Sequence, residues 1–128
     1  FVPSMKDQSF GRVIFNSSRA SVGLETRSAY SYSKAGIIGM ARTWALELAP
    51  FGITVNTVAP GPILTDQFWG LVEKDSAQQV KIAASLPVRR IGKPEDVARA
   101  ILFFSDPENS YVTGQTLYVC GGSSIASG

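Results

Sequence analysis

This chain contains three short apolar runs, and each is followed at once or within two residues by serine, glycine or proline. They cover residues 12–16, 53–59 and 116–119 and are rich in β-branched and aromatic side chains. Runs of this length and composition, bounded by turn residues, are typical of strands that are covered on both faces. We therefore predict three buried β-strands.

Helical periodicity fills the stretches between these runs. From Ser28 to Pro50 apolar side chains recur every three to four positions, which predicts one long helix that ends at Pro50. The connection between the first two strands is too long for a hairpin, so we predict a parallel pair joined by a right-handed crossover. A further helix is expected to open at Pro94. Residues 63–93 are less regular and predict a lid, with a surface helical hairpin that has no gating role as the alternative.

Composition narrows the class of protein. The 128 residues suffice for one domain and are too few for two. The net charge is +2 and the basic residues are scattered, which argues against nucleic-acid binding. No run approaches the roughly 20 apolar residues that span a bilayer, and the first residues do not resemble a signal peptide. We therefore expect no membrane association and a cytoplasmic location.

The absence of histidine and the single cysteine, Cys120, restrict the available chemistry. They exclude a histidine-based catalytic relay, a Cys/His zinc site and an intrachain disulfide, and no metal is expected. Acid–base chemistry must then use Tyr, Lys, Ser or carboxylates. Tyr30 and Lys34 stand four positions apart, so on a helix they share one face about a turn apart. This pair is the candidate reactive centre.

Five motifs in a fixed order carry a family resemblance. They are Ser17-Ser18, Tyr30-x-x-x-Lys34, Ile53-Thr-Val-Asn-Thr-Val-Ala-Pro-Gly61, Arg90-x-Gly92-x-Pro94-Glu-Asp-Val-Ala98, and Thr113-Gly-Gln-Thr-Leu117 with Gly121-Gly122. Through them the chain resembles the short-chain dehydrogenases/reductases from about residue 1 to residue 122. The resemblance implies a Rossmann-like, doubly wound α/β fold with a parallel sheet. Residues 1–128 would then be the carboxyl-terminal half of a single NAD(P)-binding domain, with the last three of its strands.

The resemblance also implies an activity. The expected reaction is hydride transfer between NAD or NADP and a ketone or secondary alcohol, by a homodimer or homotetramer acting on a small molecule. Tyr30 would be the acid/base, Lys34 would bind the nicotinamide ribose beside it, and a serine hydroxyl would hold the substrate's carbonyl oxygen. A free tyrosine has a pKa of about 10, so a nearby positive charge is needed for base chemistry near neutral pH.

Two neighbouring serines compete for that role. Alignment of the first strand makes Ser18 the match, whereas the family's usual thirteen-residue spacing to the tyrosine selects Ser17. We favour Ser18, because loops lose residues more readily than strands do.

Other site residues follow from the same resemblance. The segment after the second strand would lie under the nicotinamide, and the apolar group that follows it would meet the substrate. The cofactor residues would be Tyr30, Lys34, Pro60, Gly61, Ile63 and Thr65, and the substrate residues would be Ser18, Phe68 and Trp69.

A large part of the family pattern is missing from these residues. They contain no glycine-rich dinucleotide loop and no residue that reads the ribose, so activity is expected to require the amino-terminal half. The first strand should then have an unpaired edge. The alternative is a non-catalytic fragment or pseudo-enzyme that keeps only packing and assembly surfaces.

Overall fold

A parallel three-stranded sheet lies at the centre of the computed structural model, which describes residues 1–126. Its strands, in spatial order, are β1 (Gly11–Asn16), β2 (Ile53–Pro60) and β3 (Thr116–Val119). The α-helices of the described part are α1 (Val2–Asp7), α2 (Ser28–Leu48), α3 (Asp66–Trp69), α4 (Ala77–Ser85) and α5 (Pro94–Ser105), and short 3-10 helices cover Arg19–Val22 and Ala49–Phe51. Among these helices none is both long and apolar enough to cross a bilayer.

Both strand pairs are parallel, as predicted. Gly11 pairs with Ile53 at the start of β1, and Asn16 pairs with Val58 at its end. β3 continues the sheet on the other side of β2. Helix α2 connects β1 to β2, and helices α3 to α5 connect β2 to β3. The predicted Rossmann-like α/β architecture is therefore confirmed.

Helices α2 and α5 cover opposite faces of the sheet. Ala45 of α2 packs in one core cluster with Val55, and Phe104 of α5 packs in another with Val58. Val55 and Val58 are an odd number of positions apart on β2, so their side chains point to opposite faces. This two-sided cover explains why β2 is apolar along its length.

Strand β1 differs from the prediction of burial on both faces. Residues Ile53–Ala59 of β2 are buried, but Arg12–Phe15 of β1 are only half-buried. The reason is that β1 pairs with β2 on one side and with nothing else in residues 1–126. β3 is likewise half-buried at the opposite edge. The predicted unpaired edge of β1 is confirmed.

A buried asparagine connects β2 to the loop that precedes β3. Asn56 is 1% exposed, donates to the carbonyl oxygen of Val112 at 2.8 Å and accepts from the N–H of Gln115 at 3.0 Å. Beside it, the Thr113 hydroxyl accepts from the N–H of Val55 at 3.0 Å. Two motifs that lie far apart in the sequence are therefore hydrogen-bond partners.

Replacement of Asn56 by leucine, a residue of similar size, should lower the free energy of unfolding by about 2–4 kcal/mol, because two buried backbone groups lose their partners. Urea unfolding monitored by circular dichroism measures this. Gln78→Leu, on the exposed side of α4, is the control and should stay within about 0.5 kcal/mol of the parent. A loss at Asn56 no larger than that of the control would contradict the assigned role.

Candidate active site

A cleft of about 570 Å³ opens where β1 and β2 end. Neighbouring parallel strands have their carboxyl ends at the same edge of the sheet, so the residues that follow both strands meet there. The predicted site residues that line this cleft are Ser18, Tyr30, Lys34, Pro60, Gly61, Ile63, Thr65 and Phe68. Trp69 is not part of the lining, and its ring instead packs edge-on against Phe68 with 5.1 Å between the centroids.

Tyr30 and Lys34 lie on one face of α2, as their spacing predicts. The Lys34 Nζ lies 5.6 Å from the centroid of the Tyr30 ring and donates to the carbonyl oxygen of Asn16 at 3.2 Å. The second contact ties the ammonium group to the end of β1. Tyr30 keeps 39% of its surface exposed. A fixed positive charge therefore stands beside a phenol that a small molecule can reach.

The two adjacent serines make different contacts. Ser17 is 4% exposed, and its hydroxyl donates to the carbonyl oxygen of Lys34 at 2.7 Å. The Ser18 hydroxyl accepts from the N–H of Ala20 at 3.1 Å, which caps the 3-10 helix, and it makes no donor contact within residues 1–126. Its proton is therefore available to a ligand in the cleft, whereas that of Ser17 is used to hold α2 against β1.

Gly92 supports the segment that follows β2. The N–H of Leu64 donates to the carbonyl oxygen of Gly92 at 2.9 Å, and the N–H of Gly92 donates to that of Pro62 at 3.0 Å. These bonds make a short parallel bridge between Ile63 and Gly92. A Cβ atom at position 92 would lie 2.5 Å from Cδ1 of Ile63, so a larger residue would force the Ile63 side chain to move. The N–H of Ile63 itself has no partner within residues 1–126.

An ion pair closes the turn that carries Gly92. The Arg90 guanidinium donates to both carboxylate oxygens of Asp96, at 2.7 and 3.2 Å. Asp96 also accepts from the N–H of Lys93 at 2.9 Å. The hydrogen bonds from Arg90 and then Lys93 lower the pKa of Asp96 from 3.8 to about 2. The Arg90-to-Asp96 motif is thus a closed turn at the start of α5 that holds Gly92 against the segment that follows β2.

Asp96→Asn should make the free energy of unfolding vary less with pH in the acid range. Because the folded-state pKa of Asp96 is about 2 and its ordinary value is 3.8, its ionised form contributes stability fully above about pH 4 and loses that contribution as the pH falls towards 2. The variant should be less stable than the parent at pH 6, and the difference should shrink between pH 4 and pH 2. Urea unfolding at stepped pH values measures both.

Glu95→Gln is the matched control for this experiment, because Glu95 occupies the same first turn of α5. For Glu95→Gln, the difference from the parent in the free energy of unfolding should not shrink between pH 4 and pH 2, whereas for Asp96→Asn it should. Equal pH profiles for the two variants would mean that the Arg90 pair contributes nothing specific.

Several cleft residues were not singled out from the sequence. Arg27 lines the cleft three positions before Tyr30, and a search for polar residues at helical spacing from the tyrosine could have found it. Val97 and Ile101 of α5 also line the cleft. No local signal distinguishes a helix face that packs on a sheet from one that borders a cleft.

Comparison with known proteins matches nearly the whole chain. Residues 1–124 match the family described as enoyl-(acyl carrier protein) reductase. The chain is 44% identical over 124 residues to BbsD of Thauera aromatica, a subunit of a hydroxy(phenyl)methylsuccinyl-CoA dehydrogenase, which covers 97% of this chain and 49% of the relative. It is 45% identical over 122 residues to FabG of Thermotoga maritima, a 3-oxoacyl-acyl-carrier-protein reductase, which covers 94% of this chain and 48% of the relative.

Solved structures agree with these matches. A structure described as a short chain dehydrogenase/reductase family protein superposes with a TM-score of 0.84 at 36% identity, covering 98% of this chain and 50% of the other. Actinorhodin polyketide ketoreductase with NADPH superposes with a TM-score of 0.86 at 31% identity, covering 96% of this chain and 51% of the other. The chain therefore spans about half the length of the proteins it matches.

Proposed function

Because the chain belongs to the short-chain dehydrogenase/reductase family, we propose that it supplies the reacting half of an oxidoreductase. The proposed reaction is hydride transfer between NAD or NADP and a ketone or secondary alcohol. The observation that supports this most directly is the meeting of Ser18, Tyr30 and Lys34 in one cleft. Relatives named as dehydrogenases and reductases support oxidoreduction in general.

Tyr30 is the proposed acid/base. Reduction of a carbonyl creates an alkoxide that must receive a proton, and a phenol that is open to the cleft can donate it. In the oxidation direction the phenolate takes the proton from the alcohol. The ammonium group of Lys34 is held 5.6 Å from the centroid of the Tyr30 ring by its bond to Asn16, so a positive charge stands next to the proposed proton-transfer group.

Ser18 is the proposed partner of the reacting oxygen. Its hydroxyl has a free proton to donate, so it can stabilise the negative charge that develops on the carbonyl oxygen. Ser17 then has a positioning role, because its hydroxyl is committed to the backbone of Lys34. This division of roles supports the alignment-based choice of Ser18 over the spacing-based choice of Ser17.

Tyr30→Phe in the complete enzyme should lower kcat by about 10²- to 10⁴-fold with little change in KM, because it removes only the proton donor. The oxidation of NADPH or NADH, followed by absorbance with a ketone substrate, measures this. Tyr32→Phe is the control, since Tyr32 lies two positions away on α2 and is 82% exposed. Retention of full turnover by Tyr30→Phe would overturn the assignment.

The cleft residues fit a nicotinamide dinucleotide. The lining contains no carboxylate and includes the ammonium group of Lys34, which suits an anionic ligand. The N–H of Ile63, which has no partner within residues 1–126, could donate to the carboxamide, and Pro60, Gly61 and Thr65 would supply further contacts from the same segment. When bound, the cofactor supplies or accepts the hydride. NAD or NADP as the cofactor is supported by the family and by the NADPH complex among its structural neighbours.

The phosphate-binding side of the proposed site lies outside these residues. The chain spans about half of its relatives, and β1 has an unpaired edge in the described part of the fold. We therefore propose that a further part of the domain pairs with β1 and completes the dinucleotide site. The same two observations keep the non-catalytic alternative open, in which the chain retains only packing and assembly surfaces.

A thermal-shift titration separates these two readings. For the complete domain, NADPH or NADH should raise the unfolding midpoint with concentration, and at 100 times Kd the stabilisation is about 2.7 kcal/mol. Lys34→Met should reduce the shift, whereas Lys74→Met, at an exposed position outside the cleft, should not. The absence of any shift with either cofactor would favour the non-catalytic reading.

Substrate, assembly and location remain predictions. A 3-oxoacyl thioester is one compatible substrate class, because a named relative reduces such compounds. Phe68 lines the cleft, which supports the proposal that residues 63–93 form a lid over the substrate. Trp69 packs edge-on against Phe68. Homo-oligomeric assembly and a cytoplasmic location are proposed from the family alone.

A further inference from the structure

Arg27 is a cation of the cleft that the proposed hydride transfer does not use. It lies at the end of the loop between β1 and α2, directly before the first residue of α2. Its backbone is held on both sides, because its N–H donates to the carbonyl oxygen of Leu24 at 3.1 Å and its carbonyl oxygen accepts from the N–H of Ser31 at 2.8 Å. The base of the side chain is therefore fixed beside Tyr30.

The guanidinium group of Arg27 is free within residues 1–126. It makes no hydrogen bond to another side chain or to the backbone, and it has no ion pair. The arginines of the chain that do have such contacts use backbone carbonyls or Asp96, and they are Arg12, Arg19, Arg89, Arg90 and Arg99. Arg42 is also free but does not line the cleft. Arg27 thus combines free donors with a place in the cavity.

The surroundings of Arg27 indicate the type of ligand. No carboxylate lines the cleft, so nothing in the described lining neutralises the guanidinium. Much of the remaining wall is apolar and includes Leu24, Phe68, Leu71 and Ile101. A cavity with a guanidinium group that has no partner and an apolar wall suits a molecule that carries an anionic end on an apolar body. A planar guanidinium binds a carboxylate through two parallel hydrogen bonds.

We propose that Arg27 binds a carboxylate of the substrate, so that the preferred substrates are oxo acids and the corresponding hydroxy acids. This inference rests on the proposed function, because it assumes that Tyr30 marks the position of the reacting carbonyl. Arg27 and Tyr30 are three residues apart and line the same cleft, so both ends of one short molecule can be held at once. Of the residues proposed for the cofactor, Pro60 to Thr65 lie at the end of β2 and after it, on a different part of the chain, and Lys34 lies seven positions after Arg27 on α2.

Steady-state kinetics of the complete enzyme with paired probes test this. The probes are 4-oxopentanoate and 5-oxohexanoate, each compared with its methyl ester, in which the charge is removed and the ketone is kept. The parent should prefer at least one acid over its ester in kcat/KM. Arg27→Met should lower the ratio of acid to ester by about 10- to 100-fold, mainly through KM for the acid. Arg27→Lys should retain part of the preference.

Arg42→Met is the matched control, because Arg42 lies 15 positions along from Arg27, roughly 22 Å at the helical rise of α2. It should leave the ratio of acid to ester unchanged. An unchanged ratio in Arg27→Met, or no preference for either acid in the parent, overturns the proposal. A rise in KM for NADPH without a change in the ratio also overturns it, since Arg27 would then bind a cofactor phosphate.

A binding measurement distinguishes failure of this inference from failure of the proposed function. If neither the oxo acids nor their methyl esters are turned over, the proposed reaction fails on these probes. Binding of 5-oxohexanoate is then measured by calorimetry. Binding that Arg27→Met abolishes and Arg42→Met retains would support the carboxylate site even then. The absence of binding, or equal binding to both variants, would overturn it.

Discussion

The parallel pairing of β1 with β2 is the constraint on which the candidate site depends. Asn16 pairs with Val58, and the N–H of Ser17 continues the ladder to the carbonyl oxygen of Val58 at 2.8 Å. Parallel pairing places the ends of both strands at one edge, where Ser18 and the segment starting at Pro60 face a common cleft. In an antiparallel pair the same residues would lie at opposite ends of the sheet.

Hydrogen bonds between the end of β1 and helix α2 then set the geometry of the candidate site. Ser17 binds the backbone of Lys34, and the side chain of Lys34 binds the backbone of Asn16. These two contacts run in opposite directions between the end of β1 and α2, so each element holds a backbone group of the other. The ammonium group keeps its place beside Tyr30 for a reason separate from any chemistry it performs.

The motifs that are distant in sequence are physical partners in the fold. Asn56 on β2 satisfies two backbone groups of the loop before β3, and Gly92 satisfies two of the segment after β2. Each motif therefore requires another motif to be present. Along the outer edge of β1, the backbone groups have no neighbouring strand within residues 1–126. The chain spans about half of its relatives. Residues 1–126 thus contain one side of the candidate site and a sheet edge that remains open to pairing.

The sequence by itself determined the strands, the long helix and the shared face of Tyr30 and Lys34, because each depends on backbone preference and periodicity over a few residues. Only the tertiary structure decided which strand is buried on both faces, since burial depends on neighbours elsewhere in the chain. The hydrogen bond of the Ser17 hydroxyl needs the carbonyl oxygen of Lys34, which is 17 positions away. The cleft position of Arg27 likewise exists only once α2, β2 and α5 are packed together. Local patterns carry no information about such partners, because hydrogen bonds and cavities join groups that the chain brings together only on folding.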